Sequence, residues 1–163
     1  MLAQVQIMIY RLFPATIHPM VVHFTIAILY LAVLAEIIAY FRRKDAFYER
    51  AGFILLGLGV LATIAAGVAG SISETYDRIT PAVAAMLATH RFYGELTGVL
   101  FLIAWVIRLV TRYRKSPARV SLIALLISLV ALGFLSYVGY LGGTMVYDHG
   151  LGIAVKGLGR HSF

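Results

Sequence analysis

The residues best equipped for chemistry in this sequence are five histidines, His18, His23, His90, His149 and His161. Imidazole binds transition metals and haem iron through a ring nitrogen, and it exchanges protons near neutral pH. The chain has no cysteine. Disulfides, thiolate zinc sites, iron–sulfur clusters and the C-x-x-C-H attachment of c-type haem are therefore excluded. A metal or redox group carried by this chain has to be held by imidazole. No nucleophile–base pair, phosphate-binding glycine loop or pair of acids stands out, so nothing marks an autonomous enzyme. An electron-transfer subunit fits the inventory better.

The elements that must position these histidines are membrane helices. Of 163 residues, 61% are hydrophobic and 13% charged, against about 45–50% and about 25% in soluble domains. A spanning helix needs about 20 mostly apolar residues. Four segments qualify: 20–41, carrying His23 and Glu36; 51–72, uncharged; 92–110, with Glu95 near one end and Arg108 near the other; and 120–141, uncharged. Short links at 45–50 and 115–119 make consecutive helices antiparallel neighbours. The fold expected is all-α, a single membrane domain built as an up-down four-helix bundle. Pro19 suits a first helical turn. Thr80-Pro81 reads as the cap and first residue of a third helix running through His90. Gly142-Gly143 reads as the stop of the fourth. Residues 1–13, apolar but interrupted by Gln4, Gln6 and Arg11 and without a small-residue cleavage site, read as a short helix lying on the bilayer.

Charge orients the bundle. The net charge is +7, from 14 Lys+Arg against 7 Asp+Glu. The two short links and their flanks hold Arg42, Arg43, Lys44, Arg50, Arg108, Arg112, Arg114, Lys115 and Arg119, while the other side holds Arg11, Arg78, Arg91, Lys156 and Arg160. Short loops rich in Lys and Arg stay in the cytoplasm, so both termini and the loop 73–89 are expected outside, in a bacterial inner membrane. The basic residues flank spans and form no stripe with aromatics, which argues against nucleic acid as a partner.

Depth places the histidines. Twenty residues at about 1.5 Å each cover the hydrocarbon thickness. Counted back from Phe41 and Val110, that distance reaches His23 and His90, on spans one and three. His18 and His149 lie on the same outer side; His161 reads as tail. Two imidazoles from facing helices can hold a b-type haem. His23 and His90 are the expected axial pair, and His18 and His149 either a second pair or supports to the first. Gly67, Gly70, Gly94, Gly98, Gly133, Gly139, Gly142 and Gly143 gather in this half, where they make room for a macrocycle or let helices pack closely. Gly94 sits one turn from His90. Arg91, Arg78, Arg11 and Lys156 are on the side where propionates would want cations. The competing reading is a bare zinc or copper site on His18, His23, His90 and His149, with Asp148 or Asp77 near; the absence of compact zinc spacings counts against it. A third reading is a structural subunit whose histidines only hydrogen-bond.

Arg91 and Glu95 are spaced for an i,i+4 salt bridge, the alternative being a proton-handling carboxylate beside a cofactor or quinone. Glu36 and Arg108 lie at similar depth and are expected to pair. Tyr10, Phe13, Tyr40, Phe41, Tyr113, Tyr137 and Tyr140 fall near span ends as an interface belt. The His23–Arg42 spacing is close to that of His90–Arg108, which reads as a shared topological solution.

The segment His18-Pro19-Met20-Val21-Val22-His23-Phe24, the lone His90, and Tyr140-Leu141-Gly142-Gly143-Thr144-Met145-Val146-Tyr147-Asp148-His149-Gly150 resemble the four-span bacterial membrane proteins catalogued as domain of unknown function 2231, over roughly residues 15–155. The opening and closing motifs carry onto His18, His23, Gly142, Gly143, Tyr147, His149 and Gly150; Thr25 stands where that family has proline. Some members are joined to cytochrome c or Rieske-like domains, so the resemblance implies redox work. The resulting expectation is a membrane b-type haem protein, or the haem-carrying subunit of a larger or homo-oligomeric complex, passing electrons to a periplasmic partner or a quinone.

Overall fold

The computed structural model describes residues 12–14, 16–43, 45–76, 79–114 and 120–152. Among them are four helices and no strand: α1 (Ile17–Phe41), α2 (Ala46–Glu74), α3 (Pro81–Arg114) and α4 (Leu122–Tyr147). All four are long and apolar enough to cross a membrane. The expected helix over residues 1–13 lies mostly outside the described residues; Leu12 and Phe13 are in a turn and a bend.

Several helices run past the expected spans. Asp45 starts α2 by accepting the Phe47 amide at 2.9 Å, so most of the supposed link 45–50 is a first helical turn. Pro81 opens α3 as expected, with the Thr80 carbonyl accepting from Val83 and Ala84. Gly142-Gly143 does not stop α4. The helix continues to Tyr147, and the chain turns at Gly150, whose φ of 67° is left-handed. Inside lipid a helix satisfies its own backbone, so a glycine pair gives it no reason to end there; the break comes where the chain reaches polar residues.

The helices form two antiparallel hairpins, α1–α2 and α3–α4; contacts of α2 with α3 and of α1 with α4 close the ring. Helices α1 and α3 therefore face each other across a diagonal. The core between them is apolar: Leu29, Ala32, Val33, Leu56, Phe101, Ala104 and Ala131 are all fully buried. Lipid tails are as apolar as these side chains, so close van der Waals packing holds the bundle together. Gly59 shows what that requires, because a methyl group there would overlap the Leu29 side chain.

The two hairpins are copies of one plan, in register at a shift of 72 residues. Thr25 and Thr97 are both buried and both donate to the carbonyl four residues earlier, Val21 and Tyr93. Leu29 and Phe101, Ala32 and Ala104, and Leu56 and Ser128 are fully buried pairs at that same shift. The bundle thus has a pseudo-twofold axis running along it. The similarity glimpsed from His23 and His90 is real, but its register is set by His18.

Candidate functional site: a histidine pair on the bundle diagonal

At one end of the bundle, His18 from α1 and His90 from α3 lie side by side, with ring centroids 6.1 Å apart and planes at 81°. His18 stands in the first turn of α1, where amides lack helical partners; its amide donates to the Ser73 hydroxyl of α2 at 3.3 Å. His18 Nδ1 bonds the Ala66 carbonyl of α2 at 3.0 Å, and His90 Nδ1 bonds the Val138 carbonyl of α4 at 3.1 Å. These two bonds are equivalent under the 72-residue shift, each joining residues 48 apart within its own hairpin.

A carbonyl can only accept, so each Nδ1 carries the hydrogen. That fixes the tautomer and leaves each neutral ring with an Nε2 lone pair. Neither Nε2 has a hydrogen bond among the described residues. Two glycines leave the space that the rings occupy. A methyl group on Gly70 would lie 3.3 Å from His18 Nδ1, and one on Gly142 would lie 3.4 Å from His90 Cε1. These two glycines are again 72 apart. Orientation of an imidazole by a carbonyl on its other nitrogen is the usual support of a metal-binding histidine.

The pairing differs from the expected one: the partner of His90 is His18. His23 is exposed on α1 and, among the described residues, bonds only the Pro19 carbonyl of its own helix. Five residues separate His18 from His23, which is about 7.5 Å of rise and a large turn about the axis, so the two cannot share a face. His149 is exposed beyond the end of α4. Arg91 pairs with Glu74 of α2. Its expected partner, Glu95, is exposed on α3. Gly94 faces open space: a methyl group there meets nothing within 4 Å. Among the described residues no cluster of three His, Cys, Asp or Glu could hold a metal. Asp77, Arg11, Arg78, Lys156 and His161 lie outside the described residues.

The opposite end carries the expected Glu36–Arg108 pair, 3.0 Å apart and fully buried. It belongs to a larger network that sequence reasoning missed. Arg108 also donates to the carboxylate and the carbonyl of Glu49 at 3.2 Å, and Arg112 grips both Glu49 oxygens at 2.8 and 2.6 Å. Gly52 makes the room, since a methyl group there would lie 2.9 Å from Glu36 Cγ. Hydropathy puts Glu49 in the link 45–50 and Arg112 past the end of the third span, where charge reads as a topology signal. The Asp45 cap is the signal that pulls Glu49 into α2. Glu36 and Arg108 occupy equivalent positions of the two hairpins, as His18 and His90 do. The same eighteen-residue spacing separates His18 from Glu36 and His90 from Arg108, about 27 Å along each helix.

A model of one protein family, described as "Predicted membrane protein (DUF2231)", matches residues 14–155. No curated protein and no solved structure matches.

Proposed function

The chain belongs to the DUF2231 family of predicted membrane proteins, and from that premise we propose that it is an electron-transfer subunit whose His18 and His90 would hold one b-type haem through their Nε2 atoms. The observation that carries the reading is the histidine pair itself, with both Nδ1 atoms committed to carbonyls and both Nε2 atoms free. The ring centres are 6.1 Å apart, within reach of one shared ion bound about 2.0–2.1 Å from each imidazole nitrogen. Zinc normally takes three or four protein ligands. Two imidazole donors, with no third metal ligand beside them among the described residues, favour a cofactor that would supply its metal with further ligands of its own. When bound, haem supplies a one-electron carrier.

The protein's part is to orient and insulate. The Ala66 and Val138 carbonyls lock the rings and raise their basicity. The buried apolar layers at Leu29, Ala32, Phe101 and Ala104 separate the histidine end from the ion network. With the histidine end outward in a bacterial inner membrane, the electron partner is a periplasmic protein or a quinone.

The test is a spectrum of protein purified from haem-replete cells. About one haem per chain is expected, lost in His18→Ala and in His90→Ala and kept in His23→Ala. A colourless preparation overturns the proposal; if it contains stoichiometric zinc or copper, the bare-metal reading replaces it. Haem kept in His18→Ala but lost in His23→Ala would restore the pairing first drawn from sequence.

A further inference from the structure

The 72-residue register makes a second correspondence that the histidine pair does not use: His23 on α1 is the equivalent of Glu95 on α3. Both are exposed, and both sit five residues inward from the histidine layer, about 7.5 Å into the span. Each lies in the outward stripe of its helix, and the stripes correspond position by position: Met20 with Phe92, His23 with Glu95, Leu31 with Ile103, all exposed. The bundle therefore shows lipid two matching apolar faces on opposite sides. One face carries a single imidazole and the other a single carboxyl, at equal depth.

Among the described residues neither group is fully satisfied. His23 Nδ1 bonds Pro19 O, which leaves its Nε2 as an acceptor when neutral. Glu95 has no hydrogen bond or ion pair among the described residues, and Arg91, one turn away, is held by Glu74. An ionisable side chain facing lipid is costly and calls for a partner. Because the pseudo-twofold axis runs along the bundle, the two faces meet without tilt or vertical shift when a second copy stands beside the first in the same orientation.

We propose that this chain assembles head to tail in the membrane, the α1 face of one copy against the α3 face of the next, with His23 of one copy bonded to Glu95 of its neighbour. One proton serves the pair: imidazolium donates to carboxylate, or carboxylic acid donates to imidazole, and the pair is neutral either way. Contact of like faces would bring two imidazoles or two carboxyls together, so the charges select the unlike contact. A contact of this kind generates a ring or a row. This inference stands apart from the haem proposal, since neither His23 nor Glu95 belongs to the histidine pair.

The absence of native cysteine makes the test clean. Two differently tagged copies, one carrying Met20→Cys and the other Phe92→Cys, are coexpressed and oxidised in native membranes. Disulfides form only where backbones come within about 7 Å. The mixed dimer is expected to exceed each like dimer about fivefold or more. Adding Glu95→Leu should cut the mixed product roughly threefold to tenfold, the size of a lost hydrogen bond between membrane helices. The exchange H23E with E95H should restore it, while H23E alone should not. Equal yields of like and unlike dimers, or no dimer at all, would overturn the proposal. So would an Glu95→Leu yield equal to that of the parent, which is what a carboxyl facing only lipid would give.

Discussion

The two ends of the α1–α3 diagonal are built on one plan and finished differently. At one end Glu36 meets Arg108, and the pair is enclosed in a network in which every charge has a counter-charge: Arg108 with Glu36 and Glu49, Arg112 with Glu49. At the other, His18 meets His90, and each ring is anchored on one nitrogen and open on the other. A network whose charges pair with one another does structural work, fixing which helices face each other and in what register, although Glu36 Oε2 has no hydrogen bond among the described residues. A pair left with free lone pairs retains the capacity to bind. Identical placement in the repeat makes the contrast a controlled one: each pair joins the same two helices across the same diagonal at equivalent positions, and the pairs differ in residue type, end of the bundle and bonding.

The strongest way to break this comparison is to unbalance the closed end. Arg108→Met leaves Glu36 buried without its nearest cation. Removing one partner of a buried ion pair costs about 3–5 kcal/mol, so unfolding in detergent should shift by an amount of that order. Replacing both partners, as Glu36→Leu with Arg108→Met, should recover much of the loss, because apolar replacement of a whole buried pair is often neutral. If Arg108→Met unfolds like the parent, the network is not what holds the diagonal.

The matching change at the open end should cost far less. In ligand-free protein, His90→Ala removes one imidazole–carbonyl bond, and such bonds between membrane helices average about 0.6 kcal/mol. The Val138 carbonyl keeps its helical partner, so no buried group is orphaned. Loaded protein behaves differently, because a ligand that binds only the folded state adds stability. The gain in midpoint between ligand-free and loaded protein should vanish in His90→Ala and in His18→Ala, and persist in His23→Ala. A gain that survives in His18→Ala would separate binding from the pair.

How far this was legible in the sequence depends on which property was counted. Span number, bundle topology, the Thr80-Pro81 start and the Glu36–Arg108 pair follow from hydropathy and depth, because lipid thickness imposes them on any chain. The partner of His90 does not follow from depth, since His18 and His23 differ by little in rise and by much in rotation. Rotation was nonetheless written in the sequence, as the identities His18/His90, Thr25/Thr97, Gly67/Gly139 and Gly70/Gly142 at a single shift. A register anchored on His23 in place of His18 misaligns all four identities. Glu49 and Arg112 were missed for a different reason. Hydropathy windows stop where charge begins, whereas the helices continue, and it is on those added turns that the network forms.

The smallest expected effects sharpen the comparison most finely, because they vary only what a glycine faces. Gly67 and Gly70 are one turn apart on α2, and Gly139 and Gly142 are their equivalents on α4. Methyl groups at Gly67 and Gly139 meet nothing, whereas those at Gly70 and Gly142 meet the histidine rings. Removing a helical glycine gains about 0.5–1 kcal/mol of backbone stability, so Gly67→Ala and Gly139→Ala should each raise the unfolding midpoint slightly and leave ligand binding unchanged. Gly70→Ala should show less of that gain, because at 3.3 Å the His18 ring must give by a few tenths of an ångström, and it should weaken or spectrally shift whatever the pair binds. Since backbone propensity is common to all these variants, a binding change at Gly70, with little or none at Gly142, where the methyl group would make an ordinary 3.4 Å contact with the His90 ring, would report ring position alone. Equal behaviour at the four glycines would mean that the rings have no fixed seat, and the claim that the open end is preorganised would fail with it.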